Sequence, residues 1–240
     1  MRETGHSAAG GVPLRHLAII PDGNRRWARR CGLPPDQGHV RGFLEVTPAL
    51  LGALWDRGIY ATTLWLFSTE NWRRPGAEVR SLMEIFIRLL EGLLPTALAR
   101  SVRLQHMGRK DRLPGALRDV VETAQHSTRD LDGHVLNIAL DYGGRDEILR
   151  LACRLAEKAW RPEEVDDERL ERLLWDGDRP LPDPDLVIRT SGELRLSGFM
   201  PLQSGYSELY FSPKLYPDLT VADLEQAIAV YHARCRRFGQ

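Results

Sequence analysis

The chain has 240 residues, with 33 lysines and arginines against 33 aspartates and glutamates, so its net charge at pH 7 is zero. One domain with a sizeable core is expected at this length. The balanced charge gives no electrostatic case for a nucleic-acid partner. The three cysteines are widely spaced, which matches neither a disulfide framework nor a zinc site and fits a reducing cytoplasm. No apolar run is long enough to span a membrane. We expect a disordered tail over residues 1–13, because they are rich in Gly and Ala, and a single domain over residues 14–240.

Short apolar runs typical of buried strands alternate along the chain with longer amphipathic stretches typical of helices. The predicted strands are Leu17–Ile20, Ala61–Phe67, Val102–Met107, Val135–Leu140, Leu186–Ile188 and Glu208–Phe211. The predicted helices are Arg25–Arg30, Gly42–Asp56, Glu78–Arg100, Pro114–Arg129, Asp146–Trp160, Asp167–Trp175 and Val221–Arg236. Pro95 is expected to end or kink the third of these helices. The alternation predicts an α/β fold with a single, mostly parallel central sheet flanked by helices.

The stretch His16–Arg30 (HLAIIPDGNRRWARR) joins the first strand to the first helix. Backbone N–H groups at a helix start favour an anion, and the arginines at positions 25, 26, 29 and 30 add positive charge. Asp22 adds a carboxylate of the kind that holds Mg²⁺ together with substrate phosphates. The stretch therefore predicts a metal–diphosphate site. The alternative, on these residues alone, is an Asp-Gly turn that caps a helix with solvated arginines.

Four of the predicted strands end in clusters of polar residues. The clusters are Asp22-Gly23-Asn24, Ser68–Arg74, Asp141–Arg145, and Arg189–Arg195 with Ser197. Because the carboxyl ends of parallel strands meet at one edge of a sheet, where α/β folds bind ligands, we expect the four clusters to converge there.

Seven sequence blocks carry a resemblance to a known family. They follow the order in which the family has them and span residues 16–239. They are HLAIIPDGNRRWARR, Gly38-His39, FSTENWRRP at Phe67–Pro75, ALDYGGRDEI at Ala139–Ile148, PDPDLVIRTSGELRLS at Pro182–Ser197, YSELYF at Tyr206–Phe211 and RRFG at Arg236–Gly239. Together they resemble the cis-prenyltransferases, also called undecaprenyl diphosphate synthase-like or Z-type isoprenyl diphosphate synthases. The chain lacks the DDxxD motif of the all-helical trans-prenyltransferases.

The resemblance implies a parallel sheet flanked by helices, a hydrophobic tunnel and a cytoplasmic homodimer. It also implies Mg²⁺-dependent addition of isopentenyl diphosphate to an allylic diphosphate, with formation of a cis double bond and a product for delivery to a membrane. Mg²⁺ and arginines would stabilise the leaving diphosphate.

The same resemblance assigns roles residue by residue. Catalytic roles go to Asp22, Asn71 and His39. Contacts to the allylic substrate and the reacting carbons go to Gly23, Asn24, Arg25, Arg26, Trp27, His39, Ser68, Trp72 and Arg74. Isopentenyl diphosphate is assigned to Arg189, Arg195 and Ser197. Arg237 and Gly239 are assigned to completing the neighbouring subunit's site. Metal binding goes to Asp22 and Glu208, and Glu208 is also associated with the dimer partner.

Product length is assigned to side chains of the tunnel wall. They are Leu66, Leu82, Ile85 and Phe86. Core packing is the alternative interpretation for the helical residues among them. Leu66 stands where long-chain members usually carry Ala, and its extra bulk in a packed wall favours a short product of about fifteen carbons.

Three departures from the family pattern keep other products open. Pro21, Pro35-Asp36 and Pro201-Leu202 resemble changes in the irregular branch, which joins two dimethylallyl diphosphates into lavandulyl-type skeletons. That branch generally lacks the complete FSTENW loop that is present here. Long-chain polyprenyl synthesis and a non-catalytic partner subunit are the remaining alternatives. A phosphate-binding hydrolase would need a placed nucleophile or base, and the sequence offers no convincing one.

Overall fold

A six-stranded sheet forms the centre of the protein in the computed structural model, which describes residues 13–175 and 179–234. The strands are β1 (His16–Ile20), β2 (Ala61–Ser68), β3 (Val102–Met107), β4 (His134–Tyr142), β5 (Leu186–Arg189) and β6 (Glu208–Phe211). They lie in the order β3-β4-β2-β1-β5-β6, and every neighbouring pair is parallel. The predicted fold class is confirmed, and each predicted strand is present within two residues of its predicted bounds.

Helices cover both faces of the sheet. They are α1 (Asn24–Arg30), α2 (Pro35–Val40), α3 (Thr47–Asp56), α4 (Gly76–Ala99), α5 (Gly115–Thr128), α6 (Gly144–Lys158), α7 (Asp167–Leu174) and α8 (Val221–His232). All five residues of β1 are buried, because the strand is paired on both sides and covered on both faces. Leu17 and Ile19 join the larger core layer with α3, α4, α5 and α8, whereas Ala18 and Ile20 join a second layer around Trp65.

The helix predicted over Gly42–Asp56 begins earlier than the sequence pattern indicates. Helical backbone runs from Pro35 to Asp56, and a π-helical turn at Arg41–Val46 separates α2 from α3. Pro48 has no N–H to donate to the preceding turn. The carbonyl of Gly42 accepts from the Thr47 N–H and, at 3.1 Å, from the Thr47 hydroxyl. Such turns are frequent at functional sites.

Gly38 lets α2 pack directly on α1. A Cβ at this position would lie 2.0 Å from the carbonyl oxygen of Asn24, so a larger residue would push the two helices apart. The close approach fixes α2, and therefore His39, against the start of α1.

Pro95 lies inside α4, which continues to Ala99, so of the two predicted effects of this proline the structure excludes an end of the helix at Pro95. A proline leaves the carbonyl four residues earlier without its helical partner. That carbonyl belongs to Glu91, and both Glu91 and Pro95 are exposed, so the proline stands on a side of the helix where solvent can compensate the lost hydrogen bond.

Candidate active site

A cavity of about 230 Å³ opens at the carboxyl edge of the sheet, and we call it the main cavity. Three of the four predicted polar clusters contribute to its lining, which includes Asp22, Asn24, Ser68, Asn71, Arg74, Arg189 and Ser197. The ends of β1 and β5 are tied together here, because the Asp22 N–H donates to the Thr190 hydroxyl at 2.8 Å. The predicted convergence of these three clusters is therefore present.

Asp22 forms the electrostatic centre of the main cavity. Arg189 Nη2 donates to Asp22 Oδ2 at 2.9 Å, and Arg26 Nη2 lies 3.4 Å from Oδ1. Burial raises the pKa of this carboxyl, but the hydrogen bond and charge of Arg189, with the charge of Arg26, outweigh it and hold the pKa below its usual value. Asp22 is therefore ionised at neutral pH.

Arg189 is almost fully buried beside this carboxylate. Its guanidinium also donates to the Ser197 hydroxyl at 2.8 Å and to the carbonyl of Arg195. The structure thus brings Arg189 and Ser197 together, as the family assignment requires. The Arg195 guanidinium instead points outward and pairs with Glu193 at 2.5 Å.

A second cavity of about 300 Å³ adjoins the first and is strongly basic; we call it the basic cavity. Its lining includes Gly23, Asn24, Arg25, Arg26, Arg29, His39 and Arg74. Gly23 has φ +105° at the start of α1, and a Cβ there would lie 2.8 Å from Leu215, so only glycine suits this turn. Arg29 received no role from the family resemblance, but it belongs to the positive charge that the stretch His16–Arg30 predicts at this site, and its spacing of four from Arg25 places both on one helix face.

Glu78 of α4 holds three groups of the basic cavity in place. Its Oε1 atom lies 3.1 Å from Arg74, 3.7 Å from Arg25 and 3.6 Å from His39 Nε2. The sequence analysis did not assign Glu78 to the site. Glu78 lies four residues after Arg74, just inside the start of α4, and this charge spacing is the signal that would have indicated it.

His39 is buried between the two cavities, and neither of its ring nitrogens has a hydrogen-bond partner among the described residues. Burial, reinforced by the charge of Arg74, lowers its pKa to about 4. A neutral imidazole with unmet hydrogen-bonding capacity at a basic cavity is suited to an oxygen-rich ligand.

The loop after β2 carries the polar residues of the opposite wall. The Ser68 N–H donates to Asn71 Oδ1 at 3.1 Å, which orients the Asn71 amide. Trp72 packs on Phe67 with ring centroids 5.1 Å apart, and its Nε1 donates to Asp141 Oδ1 at 2.8 Å. Asp141, from the fourth predicted cluster, therefore supports this loop from behind and does not line the main cavity.

Leu66 and its neighbour Trp65 both line the main cavity, although they belong to the two opposite core layers of the sheet. The register of β2 against β4 shifts between Trp65 and Phe67, and at this bulge Leu66 and Phe67 lie in the same core layer. Of the other residues assigned to product length, Leu82 lines the cavity, while Ile85 and Phe86 are buried deeper in the core.

Several assigned residues lie away from both cavities. Trp27 Nε1 donates to Asp218 at 2.8 Å, and Trp27 lines neither cavity. Glu208 pairs with Arg234 at 2.7 Å, and its register opposite Leu186 puts it at the amino end of the sheet, far from Asp22 within one chain. Arg237 and Gly239 lie outside the described residues, as do residues 1–12 of the predicted tail.

No group of three or more His, Cys, Asp and Glu side chains suited to a metal ion occurs within residues 13–175 and 179–234. In the same segments, no helix has both the length and the apolar composition needed to cross a membrane.

The chain matches, over residues 20–239, the family model described as putative undecaprenyl diphosphate synthase. It is 43% identical over 231 residues to an isoprenyl transferase of Chromobacterium violaceum, covering 96% of this chain and 90% of that protein. It is 42% identical over 229 residues to the ditrans,polycis-undecaprenyl-diphosphate synthase ((2E,6E)-farnesyl-diphosphate specific) of Lactiplantibacillus plantarum, covering 93% and 88%.

Solved structures of the same family also match this chain. Lavandulyl diphosphate synthase from Lavandula x intermedia, in complex with dimethylallyl diphosphate, superimposes with a TM-score of 0.90 at 34% identity over 94% of this chain and 98% of that one. A probable undecaprenyl diphosphate synthase from Campylobacter jejuni gives a TM-score of 0.79 at 33% identity over 95% and 100%. The chain belongs to the undecaprenyl diphosphate synthase family of cis-prenyltransferases. It is accordingly an enzyme that transfers prenyl groups.

Proposed function

We propose that this enzyme condenses isopentenyl diphosphate with an allylic diphosphate, in a Mg²⁺-dependent reaction, to give a Z-prenyl diphosphate of about fifteen carbons. The observation that carries the proposal is the main cavity of about 230 Å³, which adjoins the basic cavity and has the apolar side chains of Phe43, Leu66 and Leu82 in its lining. The basic cavity suits a diphosphate, and the apolar wall suits a short prenyl chain.

In this proposal the allylic diphosphate binds in the basic cavity. Arg25, Arg26, Arg29 and Arg74 surround it, and α1 begins at its floor with backbone N–H groups available to an anion. His39 has unused ring nitrogens beside it, one of which donates to a diphosphate oxygen when the imidazole is neutral. A diphosphate therefore meets both fixed charge and unmet hydrogen-bond donors here.

Isopentenyl diphosphate occupies the part of the main cavity that faces Arg189 and Ser197. The allylic C–O bond breaks and the diphosphate leaves with the electron pair, while the surrounding arginines stabilise its growing negative charge. The double bond of isopentenyl diphosphate then attacks the allylic cation and forms the new C–C bond. The resulting cation loses a proton to an acceptor, and the Asn71 amide, which Ser68 orients, is positioned to assist that step.

Asp22 fits a role in holding Mg²⁺. It is an ionised carboxylate with a partly exposed side chain at the junction of the two cavities, and Mg²⁺ is commonly bound by one or two carboxylates together with substrate phosphate oxygens. In this proposal the diphosphates supply the remaining oxygen ligands. When bound, the ion neutralises charge on the leaving diphosphate.

Irregular condensation of two dimethylallyl diphosphates is the second candidate. Pro21, one of three departures from the family pattern, lines both cavities. The likeness to a lavandulyl diphosphate synthase, with a TM-score of 0.90, also supports it. The intact Ser68–Arg73 segment, with Asn71 at the cavity, supports the regular reaction instead.

We also propose that the enzyme assembles as a homodimer. The edge strand β6 lies beside a surface with exposed Leu202 and Tyr206, which are 45% and 70% accessible. Exposed apolar residues beside a strand edge are typical of an interface. Glu208 and the C-terminal residues Arg237 and Gly239 would then serve the neighbouring subunit. Light scattering of the purified protein, compared with a Tyr206→Lys variant, tests the assembly.

Product analysis by mass spectrometry tests the reaction. The purified protein and Mg²⁺ are incubated with dimethylallyl diphosphate alone, and in parallel with isopentenyl diphosphate and allylic starters of increasing length. We expect a requirement for isopentenyl diphosphate, loss of turnover on chelation, and arrest near fifteen carbons. Product from dimethylallyl diphosphate alone would establish the irregular reaction. A ladder reaching about fifty carbons would overturn the short-chain assignment.

A further inference from the structure

Asp141 is a fully buried carboxylate that the reaction described above does not use. Its Oδ1 atom accepts from Trp72 Nε1 at 2.8 Å. The Arg112 guanidinium donates to both carboxylate oxygens, with Nε 2.7 Å from Oδ2. A buried carboxylate is strongly unfavourable unless it is paired with a cation and hydrogen-bonded. Arg112 and Trp72 together meet both conditions.

The backbone around Asp141 holds this arrangement in place. Asp141 has φ +50°, in the left-handed region, where aspartate is found more often than most residues. Its carbonyl accepts from the Arg109 N–H at 3.1 Å. Gly108 packs directly on the end of β4, because a Cβ there would lie 2.2 Å from the carbonyl oxygen of Leu140. The loop over residues 108–113 is therefore fixed against β4, and it presents Arg112 to the carboxylate. Strained backbone of this kind is typical of functional sites.

Arg112 also packs on Trp72. Its Cζ atom lies 6.0 Å from the centroid of the indole ring, which is within the range of a cation–π contact. The ring of Phe67 packs against the same indole edge to face, with centroids 5.1 Å apart. A planar guanidinium can bind a carboxylate with two N–H groups and also lie over an aromatic ring, which suits Arg112 to both contacts. Trp72 is thus held by a hydrogen bond, a cation and an aromatic neighbour.

Trp72 connects this cluster to the main cavity. It belongs to the 3₁₀ turn Thr69–Arg73 and directly follows Asn71. Asn71 lines the main cavity, whereas Trp72 lines neither the main nor the basic cavity. The Ser68 N–H orients the Asn71 amide from the side of β2. Since Trp72 is the next residue along the turn, its anchoring fixes the backbone of Asn71 from the other side.

We propose that Asp141 and Arg112 are positioning residues, which hold Trp72 and thereby place the Asn71 amide in the main cavity. This inference rests on the proposed function, in which Asn71 assists the loss of a proton. The allylic diphosphate binds in the basic cavity, which Asp141 and Arg112 do not line. Loss of the ion pair should therefore slow turnover and leave the binding of the allylic diphosphate nearly unchanged.

The experiment measures kcat and KM for wild type, Arg112→Ala, Trp72→Phe and the double variant. A displacement of about 1 Å caused by a distant substitution can cost about 100-fold in rate, so we expect kcat of Arg112→Ala to fall about 10-fold to 100-fold. KM for the allylic diphosphate should stay within about threefold of wild type. If Arg112 acts through Trp72, the double variant should have a kcat within about twofold of the slower single variant.

Arg109→Ala is the matched control. Arg109 comes from the same loop, and its side chain is 32% exposed, against 38% for Arg112, but it pairs with Asp111 at 2.5 Å and Asp146 at 3.6 Å. Its removal should leave kcat unchanged. If Arg112→Ala does not fold, as judged by circular dichroism, Arg112→Gln takes its place with the same expectation. A folded Arg112 variant with wild-type kcat, an equal loss in Arg109→Ala, or independent effects in the double variant would each overturn the proposal.

Nuclear magnetic resonance of the indole N–H groups tests the positioning without reference to activity. The chain has six tryptophans, and the signal of Trp72 is the one that disappears in Trp72→Phe. It should shift in Arg112→Ala and keep its position in Arg109→Ala. An unshifted Trp72 signal in Arg112→Ala would refute the positioning role.

The proposed function fails in a different way, because wild type would then form no product from isopentenyl diphosphate and any allylic starter. The kinetic comparison would then use the prenyl transfer from dimethylallyl diphosphate alone, and the indole signal decides the positioning role whichever reaction the enzyme performs.

Discussion

Replacing Asp22 by asparagine separates the role of its charge from the role of its shape. The amide keeps the size of the side chain and one acceptor oxygen, so Arg189 and Arg26 keep a hydrogen-bond partner but lose the negative charge between them. A hydrogen bond between charged groups contributes about 1.5–3 kcal/mol. Because the Asp22 side chain is 31% exposed, solvent screening reduces this, and we expect Asp22→Asn to lower the free energy of unfolding by about 1 kcal/mol.

The expected effect on catalysis is much larger. Loss of one preorganised electrostatic group typically lowers kcat by about 100-fold to 1,000-fold. We therefore expect kcat/KM of Asp22→Asn to fall at least about 100-fold, with a reduced response to added Mg²⁺. Steady-state kinetics over a range of Mg²⁺ concentrations measures the loss of activity and the response to Mg²⁺. Urea unfolding measures the loss of stability.

Asp218→Asn is the matched control. Asp218 also accepts from an arginine, with Arg30 Nη2 at 2.5 Å, and its side chain is 32% exposed, but it lines neither the main nor the basic cavity. The Asp218→Asn variant should lose a similar amount of stability and keep wild-type activity. An Asp22→Asn enzyme with more than about a tenth of wild-type kcat/KM and the same Mg²⁺ response would refute the assignment of Asp22 to the metal–diphosphate site.

The pH dependence of stability gives a further check on Asp22. Its pKa is lower in the folded protein than in the unfolded chain, so the carboxylate stabilises the fold at neutral pH. That contribution is lost as the pH falls from about 4 through the folded-state pKa. The difference in unfolding free energy between wild type and Asp22→Asn should therefore be constant near neutrality and shrink in acid.

Three further substitutions have clear expected outcomes. Leu66→Ala removes three buried carbons and should cost about 2–3 kcal/mol of stability while giving a longer product by mass spectrometry; an unchanged product would show that Leu66 does not limit the chain. His39→Asn should lower kcat/KM by about tenfold. The wild-type to variant ratio should stay constant from about pH 6 to 9, because His39, with a pKa of about 4, is neutral throughout; a step near its ordinary pKa would contradict this. Gly38→Ala should destabilise the fold by about 1–3 kcal/mol, because its Cβ would meet the Asn24 carbonyl oxygen. The control Gly52→Ala, with no atom within 4 Å, should stabilise it by about 0.5–1 kcal/mol; equal effects of the two would refute the close approach of α1 and α2.

The sheet was predictable because its signals are local. A continuous apolar run such as that of β1, followed at once by Pro21 and Asp22, indicates a strand buried on both faces without reference to the rest of the chain. The alternation with helices then fixes a parallel arrangement, and a parallel arrangement places the strand ends at one edge. The family blocks extended the prediction to individual residues, but their roles in binding and catalysis stay predictions.

Local signals were weakest where the backbone departs from regular geometry. The π-helical turn that carries Phe43 and the bulge beside Leu66 both arise from how one element packs on another. The pattern also left open whether Pro95 ends or kinks α4, because a proline's effect on a helix depends on whether the unpaired carbonyl is exposed to water.

The sequence by itself determined the sheet, the order of its elements, the family and the set of charged residues that meet at the carboxyl edge. Only the tertiary structure decided which of them touch: Arg189 reaches Asp22 across 167 positions, Arg195 points outward, and Trp27 turns to Asp218. It also decided that Phe43, in the lining of the main cavity, packs edge to face on the buried ring of Phe86. The physical reason is that secondary structure follows periodicities of a few residues. Ion pairs, buried polar side chains and cavity walls instead depend on contacts between segments far apart in the chain.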